Sequence, residues 1–192
     1  MLQRLRTQLE KFVRLPEDDW QALAEVLYLR KIPKKEYFIK KGEQGKEIGL
    51  VLQGAMHQFY EKEAEERSTY FFFEDMLVTA YISCLTGQKS ELSIQALEDC
   101  EVLCFKYADW LQLGQKSTVY QQLACKLAEY IAIGLEERMV SLLIHSPEER
   151  YLQLLASNKK RIMARIPQHY IASYLGITPV SLSRIRNRIT QS

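Results

Sequence analysis

Long apolar runs are missing from this chain of 192 residues. A membrane-spanning helix needs about 20 consecutive apolar residues, so none is expected. The N-terminus, MLQRLRTQLEKFVR, is amphipathic and charged. It lacks the continuous apolar core of a secretory signal, which makes a cytoplasmic location the default. Histidine is scarce, with His57, His145 and His169 standing alone. Isolated histidines without partner signals are seldom metal or haem ligands, and each reads as a surface or hinge residue. The cysteines Cys84, Cys100, Cys104 and Cys125 form no CxxC pair and no cluster spacing. That pattern offers no zinc or iron–sulfur framework and makes buried free thiols the expectation, with metal or redox sensing as the alternative. No nucleophile–base signature, metal-ligand spacing or Gly-rich phosphate loop is found. The chain is therefore expected to be no enzyme and to carry no cofactor.

Strong net charge is also lacking, at +2, but the charge is unevenly spread. From His145 to Ser192 there are eight Lys/Arg and two Asp/Glu, so 8 − 2 = +6, and the remainder carries +2 − 6 = −4. An acidic body with a basic tail is the footprint of contact with a phosphate backbone.

The tail reads as a helix-turn-helix. Pro167 suits a helix start, Ile171 and Leu175 share one face, and Gly176 can take the left-handed turn that ends the helix. Thr178 and Pro179 cap and open a second helix. Along it Leu182, Ile185 and Ile189 form one stripe, while Val180, Ser183, Arg184 and Asn187 point the opposite way. A short helix with such an outer face fits a DNA major groove.

Upstream, Leu2, Leu5, Leu9, Phe12 and Val13 recur at helical spacing, and Pro16 with following acids opens a second helix. From Arg30, short Tyr-, Phe-, Ile- and Val-rich runs alternate with Gly42, Gly45, Gly49 and Gly54, which predicts antiparallel strands. A further β segment, ELSIQALEDCEVLCFK, turns at Glu98 and Asp99. Together these predict a small β-roll. Helix resumes after Tyr107. The stripe Leu123, Leu127, Ile131 and Leu135, continued by Met139 and Leu142, suits a two-helix seam between subunits. Ser146 and Pro147 break the chain and start a new helix, forming a hinge. The organisation is thus α+β, with a sensor roll over 1–116, a dimerisation helix over 117–144 and a DNA-binding domain over 145–192.

This order of parts resembles the cyclic-AMP receptor protein/FNR (CRP/FNR) family of transcription regulators. The best-matching pieces are KKGEQGKEIGLVLQG, ALEDCEVLCF and the helix-turn-helix. The resemblance implies a cyclic-nucleotide-binding-like roll, a dimerising helix and a winged-helix reader. It also implies a homodimer on palindromic double-stranded DNA, with RNA polymerase and an unidentified small-molecule effector as further partners. By the family's recognition motif, Pro179, Val180 and Arg184 fall at base-reading positions of the 178–190 helix. Arg184 suits a guanine edge and Val180 a thymine methyl. His169, Ser181, Arg186 and Arg188 are the candidates for phosphate contact, Arg186 being the weakest because it lies nearer the apolar stripe.

Two departures accompany the resemblance. Members that bind cyclic AMP place a Glu on the ribose and an Arg on the cyclic phosphate. Here those positions fall on Ala80 and Ser90, with Glu91 beside them and Tyr81 nearby, and Arg67 is the only Arg between Lys31 and Gln115. A carboxylate beside a missing guanidinium repels a phosphate, so the pocket is expected not to respond to cyclic AMP. The chain also ends soon after the recognition helix, leaving little length for a wing. The rival reading is a ligand-binding or protein-docking module that does not bind DNA.

Overall fold

Alternation along the strands builds two layers of core. The computed structural model describes residues 1–63 and 65–191, and the side chains of all of these but 157–160, 190 and 191. By chain contacts it divides into two compact units: residues 1–58 with 71–132, and residues 59–70 with the chain from Ile133 on.

The first unit is built on antiparallel strands. Strands β1 (Tyr28–Ile32), β8 (Cys100–Lys106), β3 (Glu47–Gln53) and β6 (Leu77–Val78) form one sheet in that order. Strands β2 (Tyr37–Ile39), β7 (Leu92–Ala96), β4 (Met56–Lys62) and β5 (Glu65–Phe72) form the other, with β5 at its edge. In β3 and β8 both faces are buried. Val51, Val102 and Cys104 turn inward to meet Phe38, Ile39, Met56, Ile94 and Ala96 from the second sheet. Ile48, Leu50, Leu52, Leu103 and Phe105 turn outward. Helices α1 (Leu2–Leu9), α2 (Glu17–Ala24), α4 (Tyr107–Lys116) and the start of α5 (Thr118–Ile144) cover that outer face with Leu5, Leu9, Trp20, Leu23, Trp110, Tyr120 and Leu123. Each such large side chain contributes about 2 kcal/mol when fully withdrawn from water. The short helix α3 (Tyr81–Thr86) lies between β6 and β7.

Gly54 joins β3 to β4 with φ +101°, and a Cβ there would stand 2.4 Å from the Cys100 sulfur. Only glycine meets both constraints. The roll and its order of elements are those predicted from sequence. The first strand starts two residues earlier than Arg30, because Tyr28 and Leu29 already pair with Cys104 and Leu103.

Two sequence expectations need correction. His57 is fully buried, not at the surface, and stacks on Phe71 with ring centroids 5.6 Å apart. Met56 and His57 are neighbours in a strand and so face opposite ways, yet both are covered. Sequence alternation does not show that the second face is covered. Cys84, Cys100 and Cys104 are buried thiols as expected, but Cys125 is exposed on α5. It sits on the side of the helix turned away from Tyr120 and Leu123.

In the second unit, α5 ends at Ile144 and α6 (Pro147–Arg165) follows at once. Ser146 accepts a hydrogen bond from the Glu149 N–H, and the Glu149 carboxylate accepts one from the Ser146 N–H, a reciprocal capping box. Helices α7 (Gln168–Leu175) and α8 (Pro179–Gln191) complete the unit. Its core joins Tyr151, Ile162 and Ile166 to Ile171, Ala172, Leu175, Leu182 and Ile185. Among the described residues no helix is long and apolar enough to cross a membrane.

Candidate nucleic-acid interface

The turn between α7 and α8 follows from three residues. Gly176 takes φ +70° and ψ +31°, and its N–H returns to the Ala172 and Ser173 carbonyls, closing α7. Thr178 Oγ1 accepts from the Ser181 N–H at 3.2 Å and caps α8. Pro179 occupies the first helical position, where no donor is needed.

Burial then sorts the side chains of α8. Leu182 and Ile185 are buried and Ile189 is half-buried. On the outer face Val180 is 61% exposed, and Pro179, Ser183, Arg184 and Asn187 are also exposed. Among the expected phosphate contacts, His169 is exposed at the start of α7, Ser181 is half-buried in the first turn of α8, and Arg186 is half-buried beside the stripe. Arg188 is exposed and pairs with Glu148 at 2.8 Å. Such an exposed pair is worth less than about 1 kcal/mol and leaves the guanidinium exchangeable.

Two arginines that the sequence did not single out hold this reader together. Arg138 of α5 donates to the Tyr174 carbonyl and lies over the Tyr174 ring, 3.9 Å from its centroid. Arg150 of α6 donates to the Leu175 carbonyl at 2.8 Å and to the His145 carbonyl at 2.6 Å. Both cations thus meet the negative end of the α7 dipole or its neighbour. Burial lowers the affinity of Arg138 for its proton, though the group stays charged. A third missed residue is Ser173. Its hydroxyl accepts from the Ser68 N–H at 2.9 Å and donates to the Glu66 carbonyl at 2.7 Å.

In the β-roll, Ala80 and Ser90, two of the residues that the sequence aligned with a nucleotide clamp, are engaged with the protein itself. Ala80 is buried between the sheets, and Tyr81 is half-buried at the start of α3. Ser90 is buried, and its hydroxyl donates to the Leu92 carbonyl at 2.8 Å. Its backbone is zipped to the β2–β3 turn: Gly42 N–H donates to its carbonyl and its N–H to the Glu43 carbonyl. Ser83 accepts from the Gly45 N–H and donates to the Gln88 carbonyl. Glu91 is exposed. Arg30 is committed to Glu47 and to the Tyr37 and Phe38 carbonyls.

The long helix α5 divides its apolar residues. Leu123 is fully buried in the core of the first unit, and Leu127 packs partly against that core. Leu123 therefore belongs to the fold and not to the intersubunit stripe on which the sequence placed it. Ile131 is half-buried, while Leu135 is exposed together with Tyr130, Ile133, Met139, Val140 and Leu142. Leu143 and Ile144 are each 74% exposed.

Residues 29–117 match the cyclic nucleotide-binding domain family. Among solved structures, the catabolite activator protein of Thermus thermophilus is 22% identical with a TM-score of 0.59, covering 96% of this chain and 87% of that one. FixK2 of Bradyrhizobium japonicum is 18% identical with a TM-score of 0.75, covering 86% and 85%. The c-di-GMP-responsive global regulator CLP of Xanthomonas campestris is 14% identical with a TM-score of 0.70, covering 92% of each chain. No curated protein matches the chain. The fold is that of the CRP/FNR regulators.

Proposed function

We propose that this chain, with its cyclic nucleotide-binding domain in a CRP/FNR fold, is a homodimeric DNA-binding transcription regulator acting in the cytoplasm. The observation that carries the reading is the outer face of α8. Arg184 and Val180 are exposed on a capped helix whose other face, Leu182 and Ile185, closes the core. The segment from His145 on carries 8 − 2 = +6. Pro179, Val180 and Arg184 read base edges, Arg184 as a fork on guanine. His169, Ser181, Arg186 and Arg188 set register on phosphates. The exposed apolar residues of α5 from Tyr130 to Ile144 form the seam between two copies, and the paired readers then meet a palindromic operator. RNA polymerase and a small-molecule effector are its further partners.

Cyclic AMP does not gate this regulator. The buried Ser90 hydroxyl is spent on the Leu92 carbonyl, and no Arg lies at the phosphate position. A buried phosphate without a fixed cation is strongly disfavoured.

Binding titrations on specific and random duplexes at several salt concentrations test the reading. Affinity is expected to fall steeply with salt on both duplexes. Arg184→Ala is expected to leave folding intact and to cost about 1–3 kcal/mol of discrimination per half-site. Arg188→Ala is expected to weaken binding equally on all sequences and to lower the salt slope. Equal loss on both duplexes for Arg184→Ala would make it a backbone contact. No DNA binding at any salt would favour a docking module instead.

A further inference from the structure

We propose that the tip of the β4–β5 hairpin is an autoinhibitory strap on the first reader helix, held by Ser173 and opposing DNA through its negative charge. This rests on the DNA-binding reading above.

Strand β5 lies at the edge of its sheet, so every second residue along it turns its N–H and C=O away from β4. The Ser68 N–H and the Glu66 carbonyl are two residues apart and belong to the same edge. Both are taken up by one hydroxyl, that of Ser173 on α7, at 2.9 and 2.7 Å. A serine hydroxyl both donates and accepts, which suits it to close such a pair. The hairpin tip therefore belongs to the same compact unit as the reader, while its strands run back into the sensor sheet.

The position of the clasp matters. Ser173 stands four residues after His169, one helical turn along the same face of α7. His169 is exposed there as a candidate phosphate contact. Over residues 61–67 the tip carries Glu61, Glu63, Glu65 and Glu66 against Lys62 and Arg67, so 2 − 4 = −2. Glu61, Glu63 and Glu65 are exposed, and Arg67 is engaged with Glu65. Through the clasp at Ser173 the tip shares a compact unit with His169, and the field of its carboxylates opposes an approaching strand of phosphates over about a Debye length, some 8–10 Å at physiological salt. The strap thus lowers DNA affinity while clasped. Whatever displaces the hairpin in the sensor sheet frees the reader.

Two variants and two measurements test this on the full chain. Ser173→Ala removes the clasp and keeps a helix former on α7. Glu61→Gln/Glu63→Gln/Glu65→Gln keeps the clasp and removes the charge. Backbone hydrogen exchange is expected to speed up at Ser68 about five- to ten-fold in Ser173→Ala, the loss of one net hydrogen bond, and to stay unchanged in the Gln variant. Affinity for random duplex DNA at about 50 mM salt is expected to rise about five-fold in both variants, and the gain is expected to vanish near 1 M, where screening is complete within about 3 Å. Unchanged DNA affinity in both variants, with wild type binding DNA, overturns the strap and leaves the DNA reading standing. Unchanged exchange at Ser68 in Ser173→Ala overturns the clasp itself. No DNA binding by wild type or by either freed variant overturns both the strap and the DNA reading.

Discussion

At the scale of single residues, burial separates the four thiols. Burial raises the Cys84 thiol and pushes the Cys104 thiol up to about 12, so neither forms thiolate near neutral pH. Cys100 is buried beneath Gly54, and Cys125 is exposed. A thiol reagent is expected to label one cysteine per native chain, and Cys125→Ser is expected to abolish that labelling. The remaining three are expected to react only in denaturant. Two or more thiols labelling at the native rate would contradict the packing of the roll. The exposure of Cys125 and the burial of His57 were not legible in the sequence. Each depends on which neighbour covers one face of an element, and a single residue type carries no record of that. Ser173 was illegible for a related reason. Its two bonds reach residues 105 and 107 positions away, and they go to backbone atoms that any residue supplies.

At the scale of elements, local chemistry was readable where a few adjacent residues decide the outcome. Gly176, Thr178 and Pro179 stop one helix and start the next, and the structure places the stop and the start there. The same holds at Ser146, Pro147 and Glu149, which open α6. The Ser146 N–H and hydroxyl hold the Glu149 carboxyl below the usual carboxylate range. A carboxylate depressed in the folded state stabilises above its unfolded pKa, and the gain is lost as pH falls through the folded value. Glu149→Ala is therefore expected to destabilise the protein at pH 7, with a difference that shrinks in acid as the carboxylate protonates. Ser146→Ala is expected to cost about 1 kcal/mol in denaturant unfolding. A penalty for Glu149→Ala that is independent of pH would show that the cap bond is not formed. Helix α5 was less legible. Its apolar spacing announced a buried face but not its owner, and Leu123 went to the chain's own core.

At the scale of the whole molecule, the proposed assembly rests on the exposed apolar end of α5. Leu143→Glu together with Ile133→Glu is expected to give a folded monomer in sedimentation, where wild type sediments as a dimer. Both side chains are exposed within one chain, so the substitutions spare its core. A wild-type monomer at high micromolar concentration would remove the seam. The order of roll, long helix and reader was legible, because each part carries its own periodicity and the parts occur in an unusual sequence. The state of the nucleotide pocket is a statement about missing charge, and calorimetry checks it. No heat is expected on adding cyclic AMP at millimolar concentration, and micromolar affinity would overturn the argument from Ser90 and Glu91.

The anchoring of α7 by Arg138 and Arg150 has a consequence for how such measurements are read. Both guanidiniums bind backbone carbonyls, which neither titrate nor exchange their charge for a counterion. In the proposed complex, high salt would thus displace phosphates from the outer face of α8 without disturbing these two anchors of α7. Dissociation of the proposed DNA complex in a salt titration then reports released counterions, and its slope rises with the number of phosphates gripped.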